Sequence, residues 1–140
     1  MAAQTFKIEF DGYWREPNKG SIPKKSGIYC VYSCVYNVSE KTVSIKKLIY
    51  IGESEDVNDR ISDHEKLSDW KKHLKSGEVL CYNFGGISAN NRSRCEAAMI
   101  FKHKPPENIE YVSSLPFDQT TISLSGKTAL LSTSFTVNRT

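Results

Sequence analysis

"GIYCVYSCVYNVSEKTVSIKKLIYIG", residues 27–52, is the stretch on which the fold turns. Residues 27–37 are aromatic, β-branched and cysteine residues, the composition of a strand. Residues 42–52, "TVSIKKLIYIG", are a second such run, with the polar "VSEKTV" as a turn region between them. The pair predicts an antiparallel hairpin whose second strand stops at Gly52. A polar, acidic run follows, and Asp56 there is an N-cap for a helix over 56–67. Its apolar stripe is Val57, Ile61 and Leu67. Arg60 and His64 lie in the same sector, one helical turn apart, and packing alone asks for neither.

Upstream, "TFKIEFDGYWRE" alternates at Phe6, Ile8 and Phe10 and predicts an N-terminal strand turning at Asp11-Gly12. "EPNKGSIPKKSG" reads as a loop. Downstream, "SDWKKHLKSG" predicts a second helix, capped by Ser68, closed by Gly77 and burying Trp70 and Leu74. "EVLCYNFGG" is a third strand. "SRCEAAMIFKHK" is a helix that Pro105-Pro106 must stop. "TTISLSGKTALLSTSFTV" predicts a β-hairpin turning at Ser125-Gly126. The fold class is therefore α+β: a small, mainly antiparallel sheet flanked by helices, with an extra N-terminal strand and a C-terminal hairpin. One domain over 1–140 is expected.

Composition narrows the function classes. With 39% hydrophobic and 25% charged residues, the chain is neither disordered nor a membrane span. The start, "MAAQTFKIEFDG", has no basic and apolar leader pattern, so a cytoplasmic location is expected. Cys30, Cys34, Cys81 and Cys95 form no CxxC pair, and three of them sit in apolar runs, where cysteine acts as a small hydrophobe. Neither a zinc site nor, in a reducing compartment, a disulfide is expected. His73 and His103 read as surface residues, and Trp14 as core. The net charge of +3 permits an anionic partner without demanding one. The lysines are clustered: 19, 24 and 25; 46 and 47; 71, 72 and 75; 102 and 104.

Glu96 stands in "CEAAMIF", an otherwise apolar or small setting. A carboxylate there is costly unless paired or bound to a cation. It is either an ion-pair partner of Arg92 or Lys102, or a metal ligand or general base.

Together these residues resemble the GIY-YIG nuclease family. Gly27-Ile28-Tyr29 matches the first motif, Tyr50-Ile51-Gly52 the second, and Arg60 and His64 fall where the family carries an arginine and, in its homing-endonuclease branch, a histidine. Glu96 matches the family's metal-binding glutamate, and "HKPPEN", ending in Asn108, its closing motif. The match spans 27–108, leaving 1–26 and 109–140 as extensions. The hairpin is longer than in many members, with Tyr29 and Tyr50 21 positions apart. The resemblance implies a Mg²⁺- or Mn²⁺-dependent DNA endonuclease that leaves 5′-phosphate and 3′-hydroxyl ends. Tyr29, Tyr50, Arg60, His64 and Glu96 would be catalytic, Glu96 would hold the metal, and Gly27, Gly52 and Asn108 would support the site.

The residue types suit that chemistry. A hard oxygen ligand holds Mg²⁺ with waters and phosphate. A guanidinium fork matches phosphate oxygens. Tyrosine, ordinarily titrating near 10, must be brought down by positive charge to act as a base, and a histidine can relay a proton. Two other function classes remain open: a non-catalytic nucleic-acid-binding module with this fold, and a sequence-specific restriction-type enzyme. The extensions contain no zinc finger, helix-turn-helix or basic zipper, so low intrinsic sequence specificity is expected, with targeting left to homodimerisation or a partner protein.

Overall fold

A computed structural model describes residues 2–140. Strand β1 covers Gln4–Arg15, β2 Gly27–Asn37 and β3 Thr42–Ser54. The next two helices are short, α1 Val57–Ser62 and α2 Leu67–Lys71, and lead into β4, Val79–Gly86. Helix α3 spans Ala89–His103, and β5 (Thr120–Gly126) and β6 (Ser134–Val137) close the chain. The six strands form one curled, mixed sheet in the order β3-β2-β4-β1-β5-β6. Every neighbouring pair is antiparallel except β1 with β5. The fold is α+β, as expected. No helix among the described residues is long and apolar enough to cross a membrane.

The hairpin forms where the sequence places it, with Gly27 opposite Ser54 and Asn37 opposite Thr42. β2 lies inside the sheet and is buried on both faces from Gly27 to Cys34, which explains its near-continuous apolar run. Ile28, Cys30, Tyr32 and Cys34 join a core that α3 covers with Cys95, Ala98 and Met99. Tyr29 and Val31 point the other way, into a second core with Val57, Ile61 and Trp70 of the two short helices. The alternation of one strand thus supplies both cores.

Several boundaries differ from the expectations. β1 does not turn at Asp11-Gly12. It continues to Arg15 because β4 supplies a ladder, with a register shift between Gly12 and Trp14. In the sheet it sits between β4 and β5. The loop after it opens with a 3₁₀ helix, Glu16–Ser21, carrying Pro17 in its first turn. β3 does not stop at Gly52 but runs to Ser54.

The helix expected over 56–67 breaks at Ser62. The Ser62 hydroxyl donates to the Asp59 carbonyl at 2.7 Å, offering the backbone an alternative to the next helical bond. Asp56 does cap α1, accepting from the Asp59 N–H at 3.0 Å. α2 begins at Leu67, with Lys66 rather than Ser68 as its N-cap. The terminal hairpin pairs as expected, but its strands are joined through residues 127–133. Gly126 (φ +83°) ends β5 in a conformation that favours glycine, and an added Cβ there would collide with the Phe10 carbonyl.

Cys34 and Cys81 form a disulfide, against the expectation of free thiols. β2 and β4 are neighbours with Tyr32 opposite Cys81, which leaves Cys34 on the diagonal, its Cα 6.3 Å from that of Cys81. Strand order, which spacing does not reveal, brings the two together. Cys30 and Cys95 remain buried thiols.

Candidate active site

Tyr29 on β2 is directly opposite Gly52 on β3. The Tyr29 ring and hydroxyl lie over the Gly52 Cα, where any Cβ would strike them. The ring thus reaches sideways to the sheet edge, and its hydroxyl meets His64 Nε2 at 3.0 Å. His64 Nδ1 accepts the Lys66 backbone N–H at 3.1 Å. With Nδ1 an acceptor, a neutral imidazole carries its proton on Nε2 and donates it to the Tyr29 oxygen. Burial, and next the Arg60 charge, push His64 down to about 4, so it stays neutral near pH 7. It is a fixed donor there, not the near-neutral proton relay the sequence suggested.

Tyr50 stands beside both, its ring centroid 6.3 Å from Tyr29 and 5.8 Å from His64. Trp70 backs the group, 4.3 Å from the His64 centroid. Burial raises Tyr29 well above the ordinary phenol range, Tyr50 adds to this, and Arg60 opposes it. Tyr50 is pushed up to about 12 by burial and then by the Glu96 charge. The protein alone therefore keeps both phenols protonated, contrary to the lowering that a tyrosine base requires.

Arg60 does not present an open fork. Its Nη1 and Nη2 donate to the Glu65 carboxylate at 2.6 and 2.7 Å. This hydrogen-bonded guanidinium holds Glu65 down to about 2. Glu65 was not singled out from the sequence: it is five residues from Arg60, outside the helical i+3 and i+4 spacings, and the chain turns between them.

Glu96 projects from α3 into a cleft of about 360 Å³ shared with Tyr50, Lys66 and the carboxylates of Glu53, Glu107 and Glu110. Neither expected ion pair forms. Arg92 turns to Glu53 instead, with Nε to Oε2 at 2.7 Å, and among the described residues Glu96 has no salt bridge. Burial, then the Glu53 and Glu110 charges, push Glu96 up to about 8. A half-buried carboxylate without a cation, facing other carboxylates, suits a hard divalent ion. Among the described residues no three His, Cys, Asp or Glu side chains are grouped to cage one, so a bound ion would rest on Glu96 with water and substrate oxygens.

Asn108 clamps the outer edge of β3. Its Oδ1 accepts the Ile51 N–H and its Nδ2 donates to the Ile51 carbonyl, both at 2.9 Å. The Glu107 N–H adds a bond to the Ile49 carbonyl at 3.1 Å. Gly27 is equally constrained, since a Cβ would run into the Gly85 carbonyl and the Phe84 ring. His73 and His103 are half-buried rather than exposed. His73 bonds Glu107 at 2.6 Å and Lys47 at 2.8 Å; His103 bridges the Met99 carbonyl and the Ser132 N–H, each at 2.8 Å.

Tyr29, Tyr50, Arg60 and His64 thus gather at one end of the hairpin, and Glu96 faces Tyr50 across the cleft. Comparison with protein-family models, with curated proteins and with solved structures gives no match.

Proposed function

We propose that the chain is a metal-dependent endonuclease that hydrolyses DNA phosphodiester bonds with a GIY-YIG-type site and low intrinsic sequence specificity. The observation that carries this reading is the pairing of a Tyr29–His64–Arg60–Tyr50 cluster with a carboxylate that has no salt bridge, Glu96, across one cleft. Mg²⁺ or Mn²⁺ at Glu96 supplies Lewis-acid stabilisation of the charge that develops on the phosphate.

The chain's own groups do the remainder. Tyr29, once its own phenolic proton has passed to solvent, accepts the proton of the attacking water, and the Nε2–H of His64 already points at the oxygen that would carry the charge. A donor fixed in advance favours the phenolate form. Positive charge near Tyr29 is still needed, and Arg60 is the group of the protein that acts in that direction. Arg60 turns its fork from Glu65 to non-bridging phosphate oxygens when DNA arrives, which costs little because Glu65 is exposed. Tyr50 orients water or phosphate through its hydroxyl. The bond from phosphorus to the 3′-oxygen breaks as the bond to the water oxygen forms, and the departing oxygen takes a proton from solvent, leaving 5′-phosphate and 3′-hydroxyl ends.

The occupied fork of Arg60 also favours a second reading, a nucleic-acid-binding module without catalysis. Plasmid nicking with Mg²⁺ separates the two. The nuclease reading expects nicks from the wild type and a loss of at least about 100-fold in Glu96→Gln, the scale for removing a transition-state charge stabiliser. No metal-dependent nicking by the wild type leaves the binding module.

A further inference from the structure

The cleft at Glu96 is a poor place for DNA to gain affinity. Four carboxylates and one lysine line it, so phosphate is repelled there until a cation binds. The opposite end of the hairpin has the reverse character. A cleft of about 470 Å³ lies there among Tyr13, Arg15, Asn18, Tyr36, Lys41 and Lys127, and no carboxylate lines it.

Arg15 is the centre of this second cleft. Its guanidinium carbon lies over the Tyr36 ring, 3.7 Å from the centroid. The residue is half-buried, yet its side chain makes no hydrogen bond or ion pair among the described residues, and Lys41 and Lys127 also lack ion pairs. A guanidinium normally spends its donors on carboxylates or carbonyls when it loses water. Here the Tyr36 ring holds the group from one side, and no protein acceptor occupies its N–H donors. Such a fork flanked by two lysines is suited to an oxoanion with paired oxygens, as a phosphodiester has.

We infer that the cleft around Arg15, Lys41 and Lys127 is a docking site for the DNA backbone, separate from the site of cleavage. This rests on the DNA reading above. Tyr36 is seven positions along β2 from Tyr29, roughly 23 Å at the rise of an extended strand. Seven is an odd count, so Tyr36 faces the α3 side of the sheet with Tyr32 and Val43 while Tyr29 faces the short helices, and a duplex engaging both clefts crosses the hairpin edge over about seven base-pair steps. The role also gives the long hairpin a function, because Tyr36, Lys41, Thr42 and Val43, its outer part, form one wall.

The test measures binding alone. Anisotropy of a labelled duplex of about 20 base pairs, followed in EDTA over a salt series, compares the wild type with Arg15→Lys and with the triple variant Arg15→Gln/Lys41→Gln/Lys127→Gln. The triple variant should bind at least about tenfold more weakly, and the log K against log salt slope should flatten by about 2 to 3, near 0.9 per lost phosphate contact. Arg15→Lys keeps the charge but loses the fork and the stack, and should weaken binding about threefold or more.

Triple-variant and Arg15→Lys binding at wild-type strength, with an unchanged slope and a wild-type melting temperature, overturns the inference while leaving cleavage untouched. Loss in the triple variant with full affinity in Arg15→Lys also overturns it, because net charge then accounts for the effect. A wild type that binds through these residues but never nicks DNA sinks the nuclease reading and keeps the docking site. No duplex binding by the wild type sinks both.

Discussion

At Gly52 the Cα lies directly under the Tyr29 ring, so a single methyl group there displaces the candidate base. Gly52→Ala should cost about 1–3 kcal/mol, the range for overpacking a dense core, measured by denaturant unfolding. It should also break the Tyr29–His64 bond, visible as a shift of the His64 ring signals in NMR. Unchanged stability and unchanged His64 signals would show that the ring moves aside freely. Local composition offers Gly52 only as the end of a strand, and the family resemblance adds only that it supports the site. It cannot show that a tyrosine from the neighbouring strand crosses the same point, because register is set by pairing and not by local composition. Glu65 is hidden for a related reason: its approach to Arg60 depends on the break at Ser62, set by one hydroxyl. Glu65→Gln should free the Arg60 fork and raise duplex affinity by up to about fivefold, the scale of an exposed ion pair. Weaker binding in that variant would mean that Glu65 positions Arg60 rather than competing with phosphate.

Among the elements, the hairpin was the most legible, since a β-branched and aromatic run reads as strand from either flank. Asp56 as a cap and Pro105 as a stop were legible for the same local reason: each acts on backbone groups within a turn of itself. The continuation of β1 past Gly12, the break between α1 and α2 and the Cys34–Cys81 bond were not, because each depends on a partner far along the chain. The disulfide links positions 47 residues apart and joins two interior strands. Constraining a loop of that size is worth about 4 kcal/mol in the chain-entropy model. Reduction with dithiothreitol, or Cys34→Ala, should therefore lower stability by roughly 2–4 kcal/mol in denaturant melts under matched conditions. The edge of β3 depends in turn on Asn108. Asn108→Ala removes both bonds to Ile51 and should cost about 1–3 kcal/mol. It should also loosen the Ile51 amide in hydrogen exchange, which a substitution at an unrelated surface site would not do.

At the scale of the whole molecule, the proposed nuclease keeps a buried group and a half-buried one whose titrations oppose each other. His64 falls to about 4 in the folded protein, below its ordinary 6.5. Its contribution is present above pH 6.5 and is lost as pH falls through 4. Glu96 rises to about 8 from the ordinary carboxylate value near 4.5. Its contribution is full below pH 4.5 and is lost as pH rises through 8. Between pH 4.5 and 6.5 the two slopes oppose each other, because the unfolded chain binds a proton that folded His64 refuses while folded Glu96 holds one that the unfolded chain releases. Between pH 6.5 and 8 only Glu96 acts, and the metal-free protein should lose on the order of 1–2 kcal/mol across that window. Glu96→Gln should be flat there and more stable than the wild type at pH 8. A divalent ion competes with the proton for the same carboxylate, so Mg²⁺ should stabilise the wild type more at pH 8 than at pH 6.5 and leave Glu96→Gln unmoved. Melting curves in EDTA and in Mg²⁺ at both pH values decide the matter. A wild type and a Glu96→Gln variant that melt in parallel under all four conditions would remove Glu96 from the metal and return it to the role of an ordinary half-buried acid.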